Sequence, residues 1–314
     1  MVAQSTSTVL MVRPVAFQSN PLTAASNSFQ NHDADAAIEV VQAQALGEFE
    51  GLVAALQNAG VEVIVVDDKH EPHTPDAVFP NNWISTHSDG TVVTYPMMAN
   101  NRRLERRRDV MDKVLPQAGF DIAKIVDFSP AERKEQFLEG TGSLVLDRVN
   151  GIAYACLAPR THPAVLDNFA SSLDYKVVLF TAVDRQGQQI YHTNVLMCIG
   201  TGYSVICTQA IADEAERDQV LDSLHTTGHE IVDISYAQLE QFAGNMLELM
   251  SAEGDRLLAM SQRAADCLTA AQKEVLSQYV NIVSAPINVI EDNAGGSVRC
   301  MLAEVFLQKA TDFS

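Results

Sequence analysis

Phe137-Leu138-Glu139-Gly140-Thr141-Gly142-Ser143-Leu144-Val145-Leu146 sets a polar, glycine-rich step directly in front of an apolar run. Val149-Asn150-Gly151 then reverses the chain, which returns through Ile152-Ala153-Tyr154-Ala155-Cys156. Asn-Gly between two apolar runs marks a hairpin. Residues 163–173 keep helical spacing and Val177-Val178-Leu179-Phe180 reads as a strand. The unit is therefore polar loop, hairpin, helix, strand.

The same unit recurs on both sides. Towards the N-terminus, Asp76-Ala77-Val78-Phe79-Pro80-Asn81-Asn82-Trp83 precedes a hairpin across Ser88-Asp89-Gly90, and Ile122–Val126 follows as a strand. Before that come a strand at Val9–Val12, a helix over 38–59 stopped by Asn58-Ala59-Gly60, and a strand at Val61–Val66. Towards the C-terminus, Tyr191-His192-Thr193-Asn194 opens a hairpin turned at Gly200-Thr201-Gly202, and Phe242-Ala243-Gly244-Asn245 opens another turned near Glu253-Gly254-Asp255. Helices over 212–225 and 266–279 follow them, and the last unit ends on Gly295-Gly296-Ser297-Val298-Arg299-Cys300, with Cys300 expected on a strand. Five polar loops result, at 76–83, 139–143, 191–194, 242–245 and 295–300. Such repeats are best accommodated by a closed α/β ring whose loops converge on its axis. The competing architecture, a doubly wound sheet, lacks its glycine-rich phosphate loop here.

Bulk properties narrow the function classes. The 314 residues are 47% hydrophobic, enough for a large core, and carry 40 acidic against 21 basic side chains, a net charge of −19. That balance argues against a nucleic-acid backbone or an anionic membrane as partner. Five cysteines without CxxC spacing, and eight histidines without a cluster, speak for a reduced compartment, no disulfide framework and no metal site, so a cytoplasmic location is expected. The N-terminal apolar run is too short for a signal peptide, and nowhere do eighteen apolar residues run together. His70 and His73, among Asp and Pro, read as a solvated turn.

Cys300 is the candidate nucleophile. Gly295 and Gly296 loosen the backbone in front of it and Arg299 stands beside it, whereas Cys156, Cys198, Cys207 and Cys267 sit inside apolar runs. This context alone fits a structural thiol at a turn equally well. A cysteine nucleophile needs a proton-handling partner, and His192 and Glu139 occupy equivalent loops of other repeats. In the basic run Arg102-Arg103-Leu104-Glu105-Arg106-Arg107-Arg108 the later arginines are expected to pair with nearby acids, while Arg102 or Arg103 is free to hold a carboxylate.

The motifs Asp-Ala-Val-Phe-Pro-Asn-Asn at 76–82, Glu-Gly-Thr-Gly at 139–142, Arg-Thr at 160–161, His-Thr-Asn at 192–194 and Gly-Gly-Ser-Val-Arg-Cys at 295–300 span most of the chain. In that order they resemble the guanidine-modifying, or pentein, superfamily, and within it the citrulline-utilising hydrolases among the arginine-deiminase-related proteins. The resemblance implies a five-bladed α/β propeller of ββαβ units about a pseudo-fivefold axis, with residues 1–314 as one catalytic domain. It implies that Cys300 attacks the central carbon of the substrate, His192 shuttles protons and Glu139 grips a substrate nitrogen. It further implies that Arg160 binds the α-carboxylate, with Arg102 or Arg103 as a second arginine, and that Asp76 and Phe79 hold the amino-acid end and the aliphatic chain. No metal or cofactor is required.

The departures bear on the substrate. Deiminases of the superfamily carry an aspartate where Asn82 stands, and many carry another where Asn194 stands. Two amides in place of two carboxylates suit a neutral ureido group, which presents N–H donors and one C=O acceptor. Citrulline, hydrolysed to ornithine, ammonia and carbon dioxide, is therefore the expected substrate. Arginine deiminase and (succinyl)arginine dihydrolase chemistry are the enzymatic alternatives, and an amino-acid-binding protein without catalysis is the third. Residues 20–36, rich in Ser, Asn and Ala, are compatible with a mobile cover over the site, and self-association is left open.

Overall fold

The structure is a computed structural model and describes residues 2–24, 26, 27, 29, 30 and 37–310. Among these, fifteen strands form five three-stranded sheets. The strands are β1 (Thr8–Arg13), β2 (Glu62–Asp67), β3 (Ile84–Thr86), β4 (Thr91–Thr94), β5 (Lys124–Asp127), β6 (Val145–Asp147), β7 (Ile152–Cys156) and β8 (Lys176–Phe180). The remainder are β9 (Met197–Ile199), β10 (Tyr203–Ile206), β11 (Glu230–Asp233), β12 (Leu247–Met250), β13 (Arg256–Ser261), β14 (Asn281–Ala285) and β15 (Ala303–Glu304). The sheets are β15-β1-β2, β3-β4-β5, β6-β7-β8, β9-β10-β11 and β12-β13-β14.

Every sheet obeys one rule: the middle strand is antiparallel to the inner strand and parallel to the outer one. A tight turn suffices for an antiparallel pair, but a parallel pair needs a crossover. Helices supply most of the crossovers, at Ile38–Asn58, Pro163–Leu173, Glu214–Thr226 and the pair Gln262–Cys267 and Ala270–Leu276. The first buries Val41, Ala45, Phe49, Leu52, Val53 and Leu56, a stripe at helical spacing, and ends where Gly60 turns to φ +85°. Asp213 and Thr269 cap later helices by accepting from the backbone N–H of Glu216 and Gln272. The first sheet joins both ends of the chain, with Val9 opposite Glu304 and Leu10 opposite Ala303.

Burial shows which way the sheets face. The inner strands β3, β6 and β9 are buried throughout, whereas the outer strands β2, β5, β8, β11 and β14 are largely exposed or half-buried. Inner strands also neighbour one another: β15 lies beside β3, β6 beside β9 and β9 beside β12. The loops in front of the inner strands are thereby brought to one end of the molecule.

One expectation needs correction. Cys300 is not on a strand but in a single helical turn, Val298–Met301, immediately before β15. Pro80–Asn82, Gly140–Ser143 and Thr193–Leu196 are equivalent turns before β3, β6 and β9. Such a turn re-aims a side chain across the end of the sheet, where a strand would point it into the neighbouring layer. The 266–279 helix is likewise two shorter helices broken at Leu268-Thr269.

Candidate active site

The turns are stitched together around their common centre. Thr141 Oγ1 donates to Asn81 O at 3.3 Å, Thr193 Oγ1 to Ser143 O at 2.6 Å, and Asn245 Nδ2 to Asn194 O at 2.9 Å. Asn245 Nδ2 and Asn194 Nδ2 also approach Cys300 Sγ, at 3.3 and 3.4 Å. The sulfur is thus faced by two amide donors. On the other side of its turn, Ser297 donates to the buried Glu291 at 2.6 Å, and Cys300 N to Ser297 O at 2.9 Å.

Glu139 and His192 form a buried pair, with Nε2 and Oε2 2.9 Å apart. Burial opposes ionisation of Glu139, but Arg160, His192 and Arg102 hold its carboxyl well below the usual carboxylate range. Burial pushes the His192 pKa down to about 4, and Glu139 only partly restores it. At neutral pH the pair is a carboxylate and a neutral imidazole. Nε2–H then donates to Glu139 and the lone pair rests on Nδ1, the arrangement of a general base. The other four thiols are poor rivals to Cys300: burial raises Cys156 and Cys198 to about 12 and Cys207 to about 11, and also raises Cys267.

A narrow cavity of about 10 Å³ is lined by Asp76, Phe79, Asn82, Arg102, Arg160, Tyr191, His192, Gly296 and Cys300, with Thr23, Asn27 and Ala294. Arg160 stacks over Tyr191, 4.8 Å from the ring centre, and its Nε has no hydrogen-bond partner among the described residues. Asp76 accepts from Asn20 at 2.7 Å through Oδ2, while its buried Oδ1 has none. These two orphaned groups, a donor and an acceptor on one wall, complement the carboxylate and ammonium of an amino acid. Arg102 is already occupied, donating to both Glu105 oxygens and to Asn82 Oδ1 at 3.0 Å.

A family model described as N,N dimethylarginine dimethylhydrolase, eukaryotic, matches residues 13–307. The chain belongs to that family. As a dimethylarginine dimethylhydrolase-type pentein it is a hydrolase of non-peptide carbon–nitrogen bonds, of the class acting on guanidino groups. No curated protein sequence matches it. Among solved structures, the substrate-bound N-terminal domain of ArgZ, an arginine dihydrolase from Cyanobacteria, aligns with TM-score 0.72 at 18% identity, covering 95% of this chain and 97% of that one. The chain spans 41% of full-length ArgZ. A Pseudomonas aeruginosa DDAH mutant complexed with citrulline aligns with TM-score 0.64 at 12% identity, covering 96% of this chain and all of that one. At these identities the likeness is one of fold.

In this dimethylarginine dimethylhydrolase-type chain most of the residues singled out from sequence meet, with instructive exceptions. Glu139 and Asn194 stand behind the cavity wall, against His192 and Cys300 respectively, rather than on it. Arg103 is turned away, donating to the carbonyls of Met97 and Met98 at 2.9 and 3.3 Å; the latter residue's N–H donates to Glu139. Arg106, Arg107 and Arg108 pair with Glu132, Asp109 and Asp112, as expected of the basic run. Of the segment 20–36, residues 25, 28 and 31–36 lie outside the described residues. Of the rest, Thr23 and Asn27 line the cavity and Ser26 accepts from Arg160 at 2.7 Å. Asn245 and Tyr191 carry no assignment from sequence. Asn245 is the polar residue of the 242–245 loop, so the repeat itself is the signal that marks it.

Gly142 is required by close approach. A Cβ there would lie 2.5 Å from Asn82 Nδ2 and 2.7 Å from His192 Nδ1. Gly142→Ala is expected to displace both side chains and to lower kcat/KM by about 10²-fold, the cost of an ångström-scale misplacement. Steady-state kinetics beside circular dichroism check this; wild-type activity in the folded variant would show that neither group needs its present position.

Proposed function

We propose that the chain hydrolyses citrulline at its ureido carbon, giving ornithine, ammonia and carbon dioxide through a covalent adduct on Cys300. The observation that carries this reading is the ring of amides about the nucleophile. Asn194 and Asn245 donate to Cys300 Sγ, and Asn82 lines the same cavity. Of the nearby carboxylates, Glu139 is engaged with His192 and the arginines and Glu105 with Arg102, while Asp76, with Oδ1 unpartnered among the described residues, is the one we assign to the amino-acid end. A cationic guanidinium would seek a carboxylate at the reacting end, whereas a neutral ureido group is matched by amides.

The steps follow from this placement. Arg160 takes the α-carboxylate, Asp76 the α-ammonium and Phe79 the aliphatic chain. As the Cys300 sulfur adds to the ureido carbon its thiol proton passes to His192 Nδ1, and amide N–H groups receive the developing oxyanion. The departing nitrogen leaves with a proton delivered by His192, and a thiocarbamoyl adduct remains. Water, deprotonated by His192 Nδ1, releases the cysteine; the carbamate formed loses carbon dioxide. We read the five sheets as blades of a closed propeller and residues 1–314 as one catalytic unit.

A second reading, arginine dihydrolase, is favoured by the extent of the fold likeness to ArgZ. A panel of citrulline, arginine, agmatine, dimethylarginine and succinylarginine, with ammonia and ornithine both quantified, separates the two. Ornithine from citrulline with arginine inert supports the proposal; equal or faster turnover of arginine overturns it. Asn82→Asp would remove the donor to Asn81 Oδ1 and set a carboxylate against Arg102, which Asp76 and Glu139 already approach at 3.6 Å. It is expected to slow citrulline turnover by about 10²-fold, as for loss of an oxyanion donor, and unchanged kcat would show that the amide does not read the ureido group.

A further inference from the structure

The hairpin tips 87–90 and 148–151 lie at the ends of β3 and β6 opposite the catalytic turns. Between them opens a second cavity of about 480 Å³, whose wall includes Arg148, Phe306, His87, Tyr175 and Lys176. Arg148 is 6% exposed, and its guanidinium stands 3.9 Å over the Phe306 ring centre. Its Nη1 donates to Thr86 O at 3.4 Å and its Nε lies 3.5 Å from Glu304, but Nη2 has no hydrogen-bond partner among the described residues. Glu304 does not belong to Arg148 alone, because Arg299 Nη2 donates to it at 2.8 Å.

Two buried guanidinium groups therefore share one carboxylate, leaving a positive charge uncompensated in a chain whose net charge is −19. His87 adds no charge: burial and Arg148 push its pKa down to about 3, and Ser85 Oγ lies 3.0 Å from its Nε2. Tyr175 supplies a neutral hydroxyl within the field of Arg148. Lys176 is an exposed second cation on the rim. Two acids also face the cavity: Asp89, 3.8 Å from Lys124, and Asp174, exposed at a left-handed turn. Exposed Val2 and Val149 make part of the rim apolar.

We propose that this cavity binds a small carboxylate with a short aliphatic chain, anchored on Arg148. A planar carboxylate complements the free edge of a guanidinium by charge-assisted hydrogen bonds, and stacking on Phe306 fixes the plane it must meet. The aliphatic end lies along Val2 and Val149, and Lys176 draws the anion in. The site is independent of the reaction proposed above.

The test is titration of the full chain with propionate labelled at the carboxyl carbon, followed by NMR line broadening, with inorganic phosphate in a parallel arm. Saturable broadening is expected in wild type and unchanged in Arg160→Met, which removes the arginine of the axial cavity whose Nε lacks a partner among the described residues. Arg148→Met should weaken binding about tenfold or more, the range for losing a charged hydrogen-bonded anchor. Lys176→Glu, on the surface and compatible with folding, should weaken it severalfold and keeps the test valid if Arg148→Met does not fold. Absence of broadening in wild type, its loss in Arg160→Met, its persistence in a folded Arg148→Met, or displacement by phosphate at lower concentration than propionate would each overturn the carboxylate site.

Discussion

Replacing Cys300 by serine is expected to lower turnover by about 10⁴-fold or more while leaving the fold intact, because the covalent step has no substitute. The side chain is 2% exposed and differs from serine by one atom, so packing changes little. The chemistry changes greatly: a thiol gives up its proton far more readily than a hydroxyl and is the stronger nucleophile, whereas a serine hydroxyl must lose its proton during attack. His192, neutral and with Nε2 committed to Glu139, must take that harder proton through Nδ1. Nor can another thiol take over, since burial raises Cys156, Cys198 and Cys207 to about 11 or 12. Ammonia release, circular dichroism and intact mass spectrometry under turnover check the result. A folded serine variant retaining a tenth of wild-type activity would exclude the covalent route.

The fold was legible because each repeat is punctuated. Asn150-Gly151, Gly200-Thr201-Gly202 and Glu253-Gly254-Asp255 mark hairpin tips, and the polar loop precedes each inner strand. What could not be read was the shape of the loops. The turn Val298–Met301 is four residues long, too short to display a helical period, so Cys300 passed as part of the strand that follows. Arg102 and Arg103 are neighbours on a 3₁₀ turn, where successive side chains point about 120° apart; one enters the cavity and the other turns to Met97. Sequence order cannot say which.

The site was legible as chemistry but not as layers. Cys300, His192 and Glu139 were recoverable because a nucleophile requires a base and an orienting acid. Yet Glu139 lies behind His192, and only burial and distance reveal that it is set against the imidazole and not on the cavity wall. Asn245 went unassigned for the opposite reason. Its loop carries no residue with titrating chemistry, and its value comes from standing beside Asn194 at the sulfur. The unpaired edge of Arg148 was hidden more deeply, because it depends on Glu304 being shared with Arg299 across the first and third sheets.

Glu139→Gln is expected to lower kcat by about 10³- to 10⁴-fold, comparable to loss of the orienting carboxylate in a hydrolytic triad. The carboxylate accepts His192 Nε2–H and so keeps the lone pair on Nδ1. A glutamine amide can present N–H to Nε2 instead, which favours the other tautomer and removes the base from the reacting side. Charge changes as well: Arg102 and Arg160 lie 3.6 and 3.5 Å from the same carboxylate and would lose it together. The pH dependence distinguishes this from simple unfolding. In wild type the His192 pKa is lowered to about 4 against an ordinary 6.5, so the folded state resists protonation. Its stability contribution is full above 6.5 and declines as pH falls from 6.5 towards 4. Glu139 is depressed, so its contribution is present above the ordinary carboxylate value near 4.5 and is lost as pH falls below it. The acid limb of kcat/KM set by His192 should lie near pH 4, and Glu139→Gln should move it lower still, because the carboxylate is the group that raises the His192 pKa. A limb at the ordinary histidine value, unmoved by the substitution, would mean that His192 titrates free of Glu139 and that the buried pair does not set the protonation state in which the enzyme works.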